Sequence, residues 1–160
     1  MLNSLKYFAA AILLAAPAIA QTNINLGGVR ADTSAPVEVS ADNLNVDQDT
    51  GTAVFSGNVL IGQGALRLSA GNVEVIYNEA TGDISRLNAS GGVTFVTADE
   101  AAEAASAVYN LAEGTLALTG DVLLTQGSSA ISAEAMTINL ETGSAQMSGR
   151  VRTVLQQGSN

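Results

Sequence analysis

The sequence predicts an all-β fold built from four similar units. A repeated phrase, a repeated glycine tag and an alternation of apolar side chains support this prediction. The phrase TAVFSGNVLIGQG at 52–64 returns as TLALTGDVLLTQG at 115–127, 63 residues later. The tag, a small residue and Gly followed by any residue and Val, starts at Ser56, Ser90, Thr119 and Ser148. These starts lie 34, 29 and 29 residues apart, and a period of about 30 residues is typical of stacked repeats.

Alternating apolar residues predict the strands within each unit. Val73, Val75 and Tyr77 fall on one face of an extended chain, and the same pattern recurs in the other units. Gly, Asn and Asp in the turns and tags supply the positive φ angles that tight reversals need. Each unit is therefore a short series of antiparallel strands. We expect roughly 14 to 16 strands in the chain, with their inner faces sharing one core.

The N-terminal 20 residues have the layout of a secretory signal peptide. Lys6 precedes an apolar run that ends in the small-residue pattern Ala18-Ile19-Ala20, so cleavage is expected before Gln21. The run is shorter than the about 20 apolar residues of a membrane span, and Pro17 interrupts it, but a retained anchor stays open as the alternative. The sequence then predicts a flexible segment over 21–35, a β domain over 36–156 and a tail over 157–160.

Composition argues against several classes of function. Six basic residues against 15 acidic residues give a net charge of −9 at pH 7, so we expect repulsion from nucleic acid and anionic bilayers. The absence of Cys excludes disulfides and thiolate metal sites. The absence of His excludes an imidazole base and a Ser-His-Asp triad. We therefore expect no enzyme activity, no cofactor and no bound metal.

Acidic segments leave two alternatives to that expectation. The stretch DNLNVDQDTG at 42–51 has the Asp and Asn density of a calcium loop but lacks the EF-hand spacing, and turn geometry accounts for its residues. A secreted β-helix enzyme that cleaves polysaccharides would need two acids converging in a cleft. The acids are scattered, and solvated turn and loop positions are the simpler interpretation.

One stretch departs from the strand pattern. ADEAAEAAS at 98–106 is rich in Ala and Glu, which are strong helix formers, but it is short for an isolated helix. We predict a loop that runs into the strand AVYNL, with a one-turn helix as the minor alternative. The rest of the interior must be filled by Val, Leu, Ile and Ala, because the chain contains only three Phe and three Tyr. Such an aliphatic lining suits an apolar ligand better than a polar one.

The sequence resembles the OstA-like (LptA) family of periplasmic lipopolysaccharide-transport bridge proteins. The resemblance covers about residues 36 to 156 and is carried by PVEVSADNLNVDQDTGTAVFSGNVLIGQGALRLSAGNVEV, GGVTF, AVYNL and LTGDVLLTQGSSAISAEAMTINLETG. It implies a twisted, open β-jellyroll whose groove holds the acyl chains of lipopolysaccharide, without catalysis. It also implies protomers that join end to end and connect inner-membrane to outer-membrane transport proteins of similar fold. The basic tail that some members carry is absent here.

Strand phase together with this resemblance gives the candidate site residues. The candidate groove residues are Val37, Val39, Phe55, Phe95, Tyr109, Leu111 and Leu118. Alternating apolar residues are core by default, so an ordinary core role stays open for them. The candidate residues for strand addition at the two ends are Val37, Val39, Val151, Thr153 and Leu155.

Two alternative functions also stay open. One is a membrane-anchored subunit of the same transport pathway with the same fold. The other is a structural β-repeat polymer that carries no cargo.

Overall fold

The all-β prediction is confirmed by the computed structural model. The structure describes residues 22–25 by their backbone and residues 30–154 in full. Within these two ranges, 11 strands form one antiparallel sheet. No helix in the same ranges is long and apolar enough to span a membrane. The predicted signal peptide at 1–20 and the candidate Leu155 lie outside the described residues.

The spatial order of the strands follows the chain through most of the sheet. The strands are β1 (Thr22–Asn25), β2 (Glu38–Ser40), β3 (Asn43–Asp47), β4 (Thr52–Gln63), β5 (Leu66–Tyr77), β6 (Ile84–Val96), β7 (Glu100–Asn110), β8 (Thr115–Gln126), β9 (Ser129–Asn139), β10 (Ser144–Ser148) and β11 (Arg152–Val154). The sheet order is β1-β10-β9-β8-β7-β6-β5-β4-β2, while β3 also pairs with β4 and β11 also pairs with β9.

The six long strands from β4 to β9 bend near their middle and divide the sheet into two halves. The register shifts mark these bends, for example between Ser56 and Val59 in β4. Half A comprises residues 22–25, 43–56, 72–90, 106–119 and 135–148; half B comprises residues 38–40, 59–69, 93–104, 122–133 and 152–154. The inner faces of both halves contribute to one apolar core. The described strands number 11 rather than 14 to 16, because each long strand serves both halves.

Three of the four glycine tags lie at these bends, in β4, β6 and β8, and the fourth lies between β10 and β11. Gly57 and Asn58 have φ angles of 80° and 46°, and Gly120 and Asp121 have 84° and 48°. Two successive residues in the left-handed region carry a strand from one half into the other, and Gly, Asn and Asp tolerate that conformation best. The positive φ angles agree with the prediction, but none of these tags is a reversal: three are bends within strands, and the fourth connects β10 to β11, which both pair with β9.

Each tag glycine also lies close to the bend of a neighbouring strand. A Cβ added to Gly120 would lie 2.6 Å from the Cβ of Ala105, and one added to Gly57 would lie 2.7 Å from Oδ2 of Asp42. The backbone N–H of Asp42 donates to the carbonyl of Gly57 at 2.9 Å. The tags therefore recur because each pair of strands needs a small residue where two bends meet.

The prediction of a loop at 98–106 is wrong, because Glu100–Asn110 form strand β7. Ala102, on its inner face, pairs with Phe95 on β6 and Leu124 on β8, and all three side chains are buried. The short Ala side chain leaves room for its larger neighbours. Pairing with a strand on each side outweighs the helix propensity of the Ala and Glu residues.

The interior is aliphatic, as the sequence predicts. The largest fully buried side chains are Phe95, Ile61, Leu87, Leu116, Leu118, Leu124, Met136, Ile138, Leu140 and Met147. A cavity between the halves, lined by Ile61 from half B and Leu116 from half A among others, has a volume of about 10 Å³. That space is no larger than about one water molecule, so the protein's own side chains fill the middle of the core.

Candidate functional site

The seven predicted groove residues all belong to the core or pack against it, but at different depths. Phe95, Tyr109 and Leu118 are fully buried, with at most 3% of their surface exposed. Val37, Val39, Phe55 and Leu111 are half-buried. The buried three can contact a ligand only if the two halves separate, because their side chains are covered by the protein itself. The half-buried four lie nearer to solvent and are the accessible members of the predicted set.

The inner face is open to solvent at the edge of half A that β3 forms. Leu44 pairs with Phe55, and Val46 pairs with the core residue Ala53. Since paired residues share a face of the sheet, Leu44 and Val46 lie on the inner face. They are nevertheless 55% and 58% exposed. Leu44 and Val46 are not among the predicted groove residues, because they lie within the turn-rich stretch at 42–51; their two-residue spacing was the available signal.

Strand β2 forms the same edge in half B. Val39 pairs with the core residue Ile61 and therefore also lies on the inner face. We name the apolar residues on the inner face at this edge the N-terminal mouth; its members are Val37, Val39, Leu44, Val46 and Phe55. The mouth continues the aliphatic core to the end of the sheet. Apolar surface exposed in this way is stabilised when a lipid chain or another protein covers it.

The C-terminal edge is built differently in the two halves. In half A, β1 pairs along β10 from Thr22 opposite Met147 to Asn25 opposite Ser144, so β1 is the edge strand. In half B, β11 pairs with β9 and is the edge strand. The predicted edge residue Thr153 is exposed in β11, and Val151 packs against the core just before it. The predicted terminal strands thus lie at the two edges of half B.

Residues 30–36 bridge the ends of the two halves that lie far from the bends, and we name them the strap. At half A, the backbone N–H of Ala31 donates to the carbonyl of Leu140, just after β9, at 3.1 Å. At half B, Nε2 of Gln63 donates to the carbonyls of Thr33 at 3.1 Å and Ala35 at 2.9 Å. On the side opposite the bends, the two halves meet along a line that we name the slit. The strap is bonded to both halves and therefore lies over this slit.

Gln63 is the polar side chain that the strap and both halves share. It is 2% exposed, at the end of β4 in half B. Its Oε1 accepts a hydrogen bond of 2.6 Å from the hydroxyl of Tyr109 in half A. Burial raises the pKa of the Tyr109 hydroxyl, and the hydrogen bond to Gln63 opposes this change. The amide of Gln63 thus makes three hydrogen bonds within the protein.

The repeated phrase places a second glutamine at the equivalent position of β8. Nε2 of Gln126 donates to Oε1 of Glu100 at 2.8 Å, and Glu100 is buried on β7 in half B. Gln63 and Gln126 both precede a Gly in the repeated phrase, and neither is among the predicted site residues. Their recurrence 63 residues apart was the signal that could have identified these two glutamines as hydrogen-bonding residues of half B.

The acidic turn at 42–51 uses a carboxylate for backbone hydrogen bonds. Oδ1 of Asp47 accepts from the N–H of Asp49 at 2.9 Å and from the N–H of Thr50 at 3.2 Å. This is the Asx-turn geometry that accounts for Asp residues in turns. Among the residues that the structure describes, no group of His, Cys, Asp or Glu could hold a metal ion.

Comparisons with known proteins bear on both sequence and fold. The family profile described as LptA/(LptD N-terminal domain) LPS transport protein matches residues 38–144. An uncharacterised protein of Rhizobium meliloti (strain 1021) is 31% identical over 157 residues, which cover 91% of this chain and 84% of the relative.

A solved structure shares the fold. It is LptH, the LptA homologous periplasmic component of the conserved lipopolysaccharide transport device from Pseudomonas aeruginosa. The match has a TM-score of 0.71 and covers 79% of this chain and 99% of LptH, with 18% sequence identity. At that identity the comparison supports the twisted, open jellyroll and no finer detail.

Proposed function

Since the chain belongs to the LptA/LptD N-terminal domain family, we propose that it carries lipopolysaccharide through the periplasm with the acyl chains shielded on the inner face of the sheet. Family and fold support a role in lipopolysaccharide transport, and the family is not one of enzymes. The proposal that the inner face shields acyl chains rests on the exposed apolar side chains of the N-terminal mouth. Leu44 and Val46 extend the inner face to the edge of the sheet, where more than half of each side chain remains exposed.

The chemistry of the mouth favours acyl chains over head groups. Each methylene that leaves water against such a surface contributes about 0.8 kcal/mol. The chain has six basic residues against 15 acidic ones, and it offers no cluster of Arg side chains for a bidentate clamp on phosphate among the described residues. The sugars and phosphates of lipopolysaccharide therefore stay in water while the acyl chains contact the inner face.

Deeper binding requires the two halves to separate. The cavity between the halves, which Tyr109 lines, is about 10 Å³, so it has no room for an acyl chain, and Phe95 and Leu118 are fully buried. The mouth is then the first contact, and the predicted groove residues farther in become accessible as the halves move apart. This ordering assigns the half-buried and exposed residues to initial binding and the buried ones to the loaded state.

Association of protomers belongs to the same proposal. The mouth of one copy would continue the inner face of the next, and the edge strands β2 and β3 at one end would pair across the boundary with β11 and β1 at the other. The contact involves one or two short strands, so it should be weak and dependent on concentration. Inner-membrane and outer-membrane transport proteins of similar fold are the proposed partners at the two ends of such an array.

Site-specific photo-crosslinking in cells tests the binding proposal. A crosslinker at Leu44, Val39 or Leu111 should capture lipopolysaccharide. The matched controls are Val54 and Glu74, which pair with each other on the outer face of half A. Capture at both outer positions with none at the inner positions would contradict the proposal.

Two further measurements address the alternative functions. Mass spectrometry of lipid that copurifies without detergent should find lipid A, whereas a structural polymer without cargo would yield none. N-terminal sequencing of the exported protein should begin at Gln21. A sequence that begins before the apolar run would indicate the membrane-anchored subunit instead.

A further inference from the structure

We propose that the strap, residues 30–36, is a gate over the slit between the halves and that Gln63 is the latch that holds it closed. The inference rests on the proposed function, because a gate is needed only if acyl chains pass from the mouth into the space between the two halves. Bonds at both ends of the strap define the closed state. In half A these are the backbone bond from Ala31 to Leu140 and the bond of 3.3 Å from Nε of Arg30 to the carbonyl of Thr142, and in half B they are the two bonds from Gln63.

The strap covers the slit with small side chains. Ala31, Thr33 and Ala35 are half-buried, and they alternate with the exposed Asp32 and Ser34. Little apolar area is therefore buried by the strap, in contrast to the Leu and Val side chains of the long strands. A segment with few buried apolar contacts opens at a lower free energy than the strands beneath it. The strap can thus lift while the two halves stay folded.

A turn inside the strap lets it keep its shape when it lifts. The backbone N–H of Ala35 donates to the carbonyl of Asp32 at 3.0 Å, and the N–H of Ser34 donates to the Asp32 carboxylate at 3.0 Å. These bonds lie within the strap and do not depend on either half. Opening then breaks the anchors at the two ends and leaves the turn intact.

Gln63 suits a latch because its bonds are specific and exchangeable. Its amide holds two carbonyls of the strap and, through Oε1, the hydroxyl of Tyr109. Water can replace each of these partners when the strap lifts, so the net cost of opening is much smaller than the strength of the bonds themselves. The same side chain joins both halves, so release of the strap also loosens the contact that keeps the slit closed.

A reversible disulfide offers a direct test. A Cβ added to Gly64 would lie 4.0 Å from the Cβ of Ala35, within the range of about 3.5 to 4.5 Å that disulfides require. The chain has no cysteine, so the double variant Ala35→Cys/Gly64→Cys can form no other intramolecular disulfide. Uptake of fluorescently labelled lipopolysaccharide by the mature protein is followed by stopped-flow fluorescence. We expect uptake by the oxidised form to be at least about tenfold slower than by the same protein after reduction, because the open state is removed.

The controls show whether slower uptake comes from the disulfide itself or from the oxidant, the substitutions or misfolding. The single variants Ala35→Cys and Gly64→Cys report any effect of oxidant or of a side chain at Gly64, whose φ is +55°. Circular dichroism confirms that the oxidised form is folded. The variant Gln63→Leu removes the latch bonds and should take up the lipid faster than the parent protein.

The outcomes distinguish this inference from the proposed function. Equal uptake by the oxidised and reduced double variant would overturn the gate while lipid binding itself stands. Slower uptake by Gln63→Leu would overturn the latch. Failure of both the parent protein and the reduced variant to take up lipopolysaccharide would overturn the proposed function and the gate with it.

Discussion

The hydroxyl of Tyr109 donates a 2.6 Å hydrogen bond to Oε1 of Gln63, and this bond joins the two halves of the bent sheet. Within half A, Tyr109 pairs with Leu87 and Leu116, whereas Gln63 ends β4 in half B and pairs with Leu66. The backbone of the long strands connects the two halves to each other at the bends. The side-chain bond connects them at the opposite side, where the slit would otherwise open.

Removal of this hydroxyl should destabilise the protein. Tyr109→Phe leaves Oε1 of Gln63 buried without its donor, which costs about 1 to 3 kcal/mol. Urea unfolding followed by circular dichroism measures the change. The matched control Tyr77→Phe alters an exposed ring and should change stability by less than about 0.5 kcal/mol. Equal effects of the two substitutions would show that the bond across the slit does not contribute.

The same hydroxyl predicts a pH dependence. Burial raises the pKa of Tyr109 in the folded protein, only partly offset by the hydrogen bond to Gln63. The folded state therefore holds this proton more tightly than the unfolded state. Its contribution to stability is complete below about pH 10 and is lost as the pH rises through the folded pKa. The urea midpoints of the parent protein and of Tyr109→Phe should run parallel up to about pH 10, and above it the midpoint of the parent protein should fall more steeply; curves that stay parallel above that pH would contradict the assignment.

The bends predict a difference between two glycines with similar backbone angles. Gly120 has φ +84° and Gly92 has φ +81°, but an added Cβ meets Ala105 at 2.6 Å in the first case and nothing within 4 Å in the second. Gly92→Ala should cost about 1 to 2 kcal/mol for the left-handed conformation alone. Gly120→Ala should cost about 1 to 3 kcal/mol more, because the contact is overpacked. Urea unfolding of the two variants measures the difference.

A double-mutant cycle isolates the contact at Gly120. The change Ala105→Gly removes the clashing Cβ, so it should restore part of the stability that Gly120→Ala loses, with a coupling of about 0.5 to 3 kcal/mol. The same change should not restore Gly92→Ala, because a Cβ added to Gly92 meets nothing within 4 Å although β6 pairs with β7 there. Purely additive effects would show that the bends do not require a small residue at this meeting point.

The N-terminal mouth predicts an effect on association that is separate from stability. Leu44→Lys/Val46→Lys places two charges on the inner face at an edge strand, which should prevent docking of another copy. Val54→Lys, on the outer face of the adjacent strand and 38% exposed, is the control and should associate like the parent protein. Analytical ultracentrifugation over a concentration series measures association. Retained association of the double variant, together with normal unfolding, would place the contact elsewhere.

The sequence by itself determined the all-β class, the aliphatic core and the four-unit repeat. These features depend on local rules: period-two alternation decides which residues can share a face, and Gly with Asn or Asp permits the φ angles at the bends. The family resemblance that the sequence carries is likewise confirmed by the match over residues 38–144. Strand β7 was not predicted, because the helix propensity of its Ala and Glu residues can be read from neighbouring residues alone. Its pairing with β6 and β8 depends on strands elsewhere in the sequence.

Only the tertiary structure decided which inner-face side chains are buried and which are exposed to solvent. Phe95 and Leu44 both follow the alternation, yet Phe95 lies between two paired strands and is 1% exposed, while Leu44 lies on an edge strand and is 55% exposed. The contacts of Gln63 with the strap and with Tyr109 are equally absent from any local pattern. They depend on how two halves of one sheet fold over each other, because burial and hydrogen bonding between distant segments are set by that closure and not by neighbouring residues.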